Sequence, residues 1–200
     1  MKEAFEAFMR NELNNDMILI ACGLPATYKT ETTEVIAELM GFKILRTDLI
    51  RLEVLKGEDI FDEKVASNMD KRNLVYDTMF SMADDLAAKG EGIILDATFI
   101  TQSLRRRVAE VAARHAKTCV IQQTSCPEAV SLDRISKRSK ENYESNAITP
   151  RAYFNNKNKF EPVDLDDLKQ LFPDLKLMHL LVDTTSDSRD EWFVIDRIER

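Results

Sequence analysis

The chain predicts an α/β fold with a mostly parallel, five-stranded sheet, and three observations lead there. Short apolar runs alternate with stretches of helical spacing, the pattern of consecutive strand–helix–strand units. The first long apolar run ends on a glycine and is followed by lysine and threonine, as at a strand–turn–helix junction. The 200 residues are 44% hydrophobic, with only five Gly and five Pro, enough to core one domain over residues 1–200 and too few for two. No linker, repeat or low-complexity stretch interrupts them.

Each element follows from local pattern. Phe5, Phe8 and Met9 recur at helical spacing, so the N-terminus reads as an amphipathic helix packed on the outside. Met17–Cys22 is apolar throughout, as a strand buried on both faces must be. A helix follows over roughly 29–40, then a strand at Phe42–Arg46 and a helix beginning at Thr47 or Asp48. Val75, Met79, Met82 and Leu86 predict a helix whose methionines are core, and Leu104, Val108 and Val111 predict another. Gly92–Leu95, Thr118–Gln122 and Leu177–Val182 complete the five strands. Trp192, Phe193, Ile195 and Ile198 predict a closing C-terminal helix.

Composition excludes some functions. A formal net charge of −7 disfavours a nucleic-acid binder, because phosphate contacts need an electropositive surface. Cys22, Cys119 and Cys126 are odd in number and lack metal-ligand spacing, and read as small hydrophobes in a reducing compartment. With no long apolar span or leader-like segment, the expectation is a cytoplasmic protein without a membrane partner.

The chemistry starts at Gly23-Leu24-Pro25-Ala26-Thr27-Tyr28-Lys29-Thr30. This is a Walker A pattern in which Tyr28 replaces the second glycine. A helix starting at Lys29 would aim its free N–H groups and positive dipole end at the loop, where anions bind. Lys29 would reach the β- and γ-phosphates of a nucleoside triphosphate, and the Thr30 hydroxyl would ligate Mg²⁺. The same letters also fit a plain strand–turn–helix connection. Tyr28 either crowds the anion or turns outward with the loop amides left in place, since a residue opening a helix is expected to need no positive φ.

Two further constellations join it. Gly92-Ile-Ile-Leu-Asp-Ala-Thr-Phe99 is a Walker B pattern, placing Asp96 at the carboxyl edge of the sheet as a Mg²⁺ ligand; a turn-capping aspartate reads the same way. In Arg46-Thr-Asp-Leu-Ile-Arg51, Asp48 and Arg51 lie one helical turn apart. Asp48 could accept the proton of an acceptor hydroxyl and Arg51 clamp an anionic group, or the two could form an ordinary surface ion pair.

With Leu132-Asp-Arg-Ile-Ser-Lys-Arg138 and Phe160-Glu-Pro162, these motifs stand in the order seen in small P-loop kinases. Over residues 16 to 165 the chain resembles an AAA-type P-loop kinase of the group related to polynucleotide kinase, zeta toxin and 6-phosphofructo-2-kinase. The resemblance implies a three-layer P-loop NTPase sandwich, nucleoside-monophosphate-kinase-like, with a helical lid at roughly 134–160. It also implies that Arg134 and Arg138 on the lid approach the transferring phosphoryl group. A solvated basic helix end is the competing reading of those arginines. Asn146 stands where the family carries an aspartate.

Two functions follow as expectations. One is an ATP- and Mg²⁺-dependent phosphotransferase acting on a hydroxyl of a small molecule or nucleotide. The other is a degenerate relative with weak or no nucleotide binding and a regulatory or interaction role. A nucleic-acid end kinase would need a basic groove that the acidic balance disfavours.

Overall fold

The structure of the protein, a computed structural model, describes residues 2–58, 68–138 and 149–200. Asn146 and the middle of the expected lid lie outside the described residues. One sheet organises the fold, in the order β1-β7-β6-β5-β2-β4-β3. Its strands are β1 (Glu3–Ala4), β2 (Met17–Cys22), β3 (Lys43–Arg46), β4 (Ile93–Asp96), β5 (Thr118–Ser125), β6 (Leu177–Asp183) and β7 (Phe193–Glu199).

The five expected strands are present and mutually parallel, but the sheet has seven. The two additions are antiparallel: β7 pairs with β6, and the short β1 pairs with β7. The C-terminal segment is therefore a strand and not the expected helix. Trp192 and Val194 are buried while Asp196 is exposed, and Val194 pairs with Val182; a half-covered edge favours extended chain over a helix of mixed spacing.

Helices cover both faces. On one lie α1 (Phe5–Glu12) and α2 (Lys29–Met40), whose Phe5, Phe8, Met9, Val35 and Ile36 pack on Leu19, Ile94 and Val120. The other carries α4 (Met69–Ala88), α5 (Gln102–Arg114) and α8 (Leu165–Leu171), packed on Ile18, Ile20, Ile93, Leu95 and Ile121. Alternate residues of the fully buried β2 thus feed two separate cores, each buried aliphatic side chain contributing about 1.5–3 kcal/mol. On α4 the buried face is Val75, Tyr76, Met79, Phe80 and Ala83; Met82 is partly exposed, so only Met79 of the two methionines is core. Among the described residues the remaining α-helices are α3 (Thr47–Val54), α6 (Glu128–Ser136) and α7 (Pro150–Lys159).

This arrangement aligns the carboxyl ends of β2, β3 and β4 on one edge. Ala21 pairs with Asp96, and Arg46 pairs with Asp96 from the other side. The loop after β2, the acid ending β4 and the first turn of α3 therefore meet along that edge.

Candidate active site

The loop from Gly23 to Tyr28 is held by its own hydroxyls and by the strands beside it. Gly23 has φ +142°, and a Cβ there would lie 2.6 Å from the Thr124 carbonyl and 2.9 Å from its hydroxyl, so only glycine fits. Thr27 Oγ1 donates to Leu24 O at 2.8 Å and lies 2.7 Å from Thr124 Oγ1 on β5. Thr184 Oγ1 donates to Thr27 O at 2.9 Å from beyond β6. The cysteine and apolar residues of β2 thus deliver the chain into a loop pinned from the β5–β6 side.

Tyr28 departs from expectation. It is the N-cap of α2 in the left-handed region, φ 57° and ψ 37°, where a non-glycine residue costs about 1–2 kcal/mol. The backbone at this position keeps a conformation natural to glycine, so the expected absence of positive φ is wrong. Its ring lies 3.8 Å from the Arg134 guanidinium carbon and 5.5 Å from the Trp192 ring, and its hydroxyl donates to Asp187 Oδ1 at 2.7 Å. Burial and that bond push the phenol up to about 12. Tyr28 O accepts from Thr32 N at 3.0 Å, and among the described residues no side chain caps α2. Its first-turn amides consequently remain directed at the loop.

Lys29 Nζ donates to Leu24 O at 2.7 Å, spanning the loop. Burial pulls its pKa below the ordinary lysine range, opposed by the Asp96 and Glu31 carboxylates. Asp96, 7% exposed, is pushed upward by burial and pulled back by a Thr30 hydrogen bond, Lys29 and Arg46. Arg46 Nε donates to Asp96 Oδ2 at 3.2 Å, and Thr33 Oγ1 approaches the same oxygen at 3.4 Å. Thr30, Lys29 and Asp96 are thus brought together from two adjacent strand ends.

A hydroxyl joined to a carboxylate is a hard oxygen pair of the kind Mg²⁺ accepts. Among the described residues no cluster of three or more His, Cys, Asp or Glu side chains could hold a metal alone. The pair suits an ion that completes its shell with phosphate oxygens and water.

Asp48 and Arg51 lie on the first two turns of α3, immediately after β3, with Arg51 Nη1 3.4 Å from Asp48 Oδ1. Tyr76 stands nearby: Asp48, Arg51 and Arg72 all act on its hydroxyl, which hydrogen-bonds Thr98, and burial raises its pKa. Pattern alone gave Tyr76 no role, because it counts as one more apolar residue of α4. A depression between α4 and α5 is lined by Asp77, Asp84, Arg107 and Arg114, whose charges pair with one another at 2.6 and 2.5 Å; no loop residue lines it.

The two arginines of the Leu132–Arg138 motif part company. Arg138 lies near enough to Lys29 for its charge to lower the lysine pKa. Arg134 is buried on α6 with its donors engaged: Nε on Asp187, Nη1 on Ala26 O, and Nη2 on Thr184 O and Thr185 O at 2.9 and 3.0 Å. Arg134, expected on a lid near phosphate, is here bonded to the loop and to the connection after β6. Asp187 and Thr184 were not anticipated, since nothing in sequence spacing links them to loop residues 159 and 157 positions away.

A parallel sheet with this loop, lysine–threonine pair and adjacent strand-end acid defines a P-loop domain of kinase type. The sequence matches the AAA domain family AAA_33 over residues 18–163, and the chain belongs to that family. Among solved structures it is similar to a sugar kinase from Janibacter sp. HTCC2649, with 14% identity, TM-score 0.59 and 84% of each chain covered. A gluconokinase from Sinorhizobium meliloti 1021 is similar at 15% identity and TM-score 0.57, over 87% of this chain and 86% of that one. A complex of AvrRxo1-ORF1 and AvrRxo1-ORF2 with ATP gives 15% identity and TM-score 0.53, covering 98% of this chain and 60% of the other. No curated protein matches the sequence. Among the described residues, no helix is long and apolar enough to cross a membrane.

Proposed function

We propose that this protein transfers the γ-phosphoryl group of ATP to a hydroxyl of a small molecule or nucleotide. The observation that carries the reading is the meeting of Lys29, Thr30 and Asp96 at an open helix N-terminus, with Asp48 on the next strand's helix. The loop amides and Lys29 would bind the β- and γ-phosphates. Thr30 and Asp96 would hold Mg²⁺, which when bound neutralises phosphate charge. Asp48 would take the proton of the attacking hydroxyl, and Arg51 would orient an anionic acceptor. Arg138, whose charge reaches Lys29, would offset charge developing on the transferring group.

The sugar kinase and gluconokinase folds make a polyol or sugar acid a reasonable first acceptor to try. The alternative, a degenerate nucleotide-binding relative, drew on Tyr28 and Asn146. The Tyr28 ring packs on Arg134 and Trp192, which speaks against crowding as the reason for a dead loop.

A thermal-shift scan with Mg²⁺ and each nucleoside triphosphate tests the donor site, because specific binding to the folded state must raise the midpoint. ADP release across a panel of sugars, sugar acids and nucleosides then tests transfer. A midpoint unmoved by every Mg²⁺–nucleotide pair would overturn the proposal.

A further inference from the structure

The phosphate loop is fastened to the connection between β6 and β7 by contacts unrelated to the Walker pattern. Tyr28 Oη and Arg134 Nε meet the same oxygen, Asp187 Oδ1, at 2.7 and 3.0 Å. Arg134 also lies 3.8 Å from the Tyr28 ring and donates to Ala26 O at 3.2 Å. Its remaining donors hold Thr184 O and Thr185 O, while Thr184 Oγ1 donates to Thr27 O at 2.9 Å. Three consecutive loop residues, Ala26, Thr27 and Tyr28, are therefore gripped from one side.

A glycine at position 28 could take its left-handed conformation freely and leave it as freely. Tyrosine pays strain there and persists only because its surroundings over-determine it. Trp192 backs the ring at 5.5 Å, and the carboxylate of Asp187 binds both ring hydroxyl and guanidinium. Lys29 Nζ makes a different contact, spanning the loop to Leu24 O at 2.7 Å.

We propose that Tyr28, Arg134 and Asp187 form a tether that holds the phosphate loop in its anion-binding conformation before nucleotide arrives. They are positioning residues, and the β6–β7 connection becomes part of the donor site through them. The inference rests on reading the loop as that donor site. Preorganisation of this kind strengthens binding by lowering the ordering cost that ligand would otherwise meet.

The test pairs calorimetric titration of ATP–Mg²⁺ with amide hydrogen exchange over residues 24–30, in the parent, Tyr28→Phe, Asp187→Ala and the double variant. Tyr28→Phe removes only the hydroxyl, and Asp187 is an exposed side chain, so both variants should fold. Each is expected to weaken ATP–Mg²⁺ about 3- to 10-fold and to speed exchange across the loop without affecting the central strands. The double variant should be less than additive and close to Asp187→Ala alone, because that change already removes the Tyr28–Asp187 bond along with the Arg134–Asp187 contact. Tyr28→Gly should also bind more weakly than the parent; tighter binding would overturn the tether. Unchanged exchange in both single variants would overturn it as well, whether or not nucleotide binds. If the parent binds no ATP–Mg²⁺ yet the exchange differences appear, the donor-site reading fails and the tether stands.

Discussion

Arg46 and Asp96 are register partners at the ends of β3 and β4, and Arg46 Nε donates to Asp96 Oδ2 at 3.2 Å. The arginine is itself steadied by Glu34, 2.8 Å from Nη2. A carboxylate buried at a strand end would be driven toward its neutral form; Thr30, Lys29 and Arg46 oppose that drive. The geometry holds an acid where the phosphate loop needs one, at a cost in stability.

That cost gives the first prediction. Burial leaves the folded Asp96 pKa above its unfolded value, so its favourable contribution is present below the unfolded pKa and disappears as pH rises through the folded one. Asp96→Asn keeps the uncharged form at every pH. It should raise the thermal midpoint at pH 7.5 and abolish the Mg²⁺ response of nucleotide binding, and the gain should shrink as pH falls toward the carboxylate range. A lower midpoint at pH 7.5 would contradict the sign; an intact Mg²⁺ response would remove Asp96 from the metal site.

Lys29→Ala separates function from fold. The side chain donates to Leu24 O on the loop and belongs to neither sheet-face core. Far-UV dichroism and thermal midpoint should stay close to the parent, while ATP–Mg²⁺ affinity drops below calorimetric detection and transfer ceases. Retained phosphotransfer would end the kinase mechanism.

Arg105 tests the connection behind the Walker B loop. Fully buried on α5, it donates to Phe99 O at 3.1 Å, Pro162 O at 2.9 Å and Glu161 O at 2.8 Å. Arg105→Ala leaves three carbonyls short of a donor and opens a cavity, so unfolding free energy should fall by about 3–5 kcal/mol. Chemical denaturation measures this; a loss under about 1 kcal/mol would show that these bonds are replaceable.

Such cases show what the sequence could and could not reveal. The five parallel strands, the helix over Lys29–Met40 and the order of the motifs were legible because periodicity and strand-end chemistry are local signals. The C-terminal strand was not. Trp192, Phe193, Ile195 and Ile198 fit a helix as well as a strand, and only pairing with β6 decides between them. Residue 28 was legible as a departure, but its partners lie 106 to 164 positions away, at Arg134, Asp187 and Trp192, beyond any spacing rule. Arg105 reads in sequence as the first of three consecutive arginines, residues 105–107; its burial emerges only when residues 160–162 fold against α5.

On the acceptor side, Asp48→Asn should leave ATP–Mg²⁺ affinity nearly unchanged and lower phosphotransfer by a factor on the order of 10² or more, as for loss of a general base. Arg51→Ala should raise KM chiefly for an anionic acceptor. Equal losses of binding and turnover in Asp48→Asn would place that carboxylate outside acceptor chemistry.

The final prediction sets Arg138 against Arg134, two residues of one short motif with different surroundings. Arg138 acts on Lys29 through space, and under the proposed mechanism its charge would act on a phosphoryl group held by that lysine. Arg134 is committed to Asp187 and to the carbonyls of Ala26, Thr184 and Thr185, and its removal would leave those acceptors without their donor. Arg138→Ala should therefore lower kcat by a factor on the order of 10³ with little change in thermal midpoint, the signature of lost transition-state stabilisation. Arg134→Ala should lower the midpoint and weaken ATP–Mg²⁺, with any loss of kcat smaller than that of Arg138→Ala. Arg134→Lys keeps the charge without the planar fork and should restore little of the midpoint. The reverse pattern, with Arg134→Ala losing only kcat and Arg138→Ala only stability, would return Arg134 to the phosphoryl group and Arg138 to the scaffold.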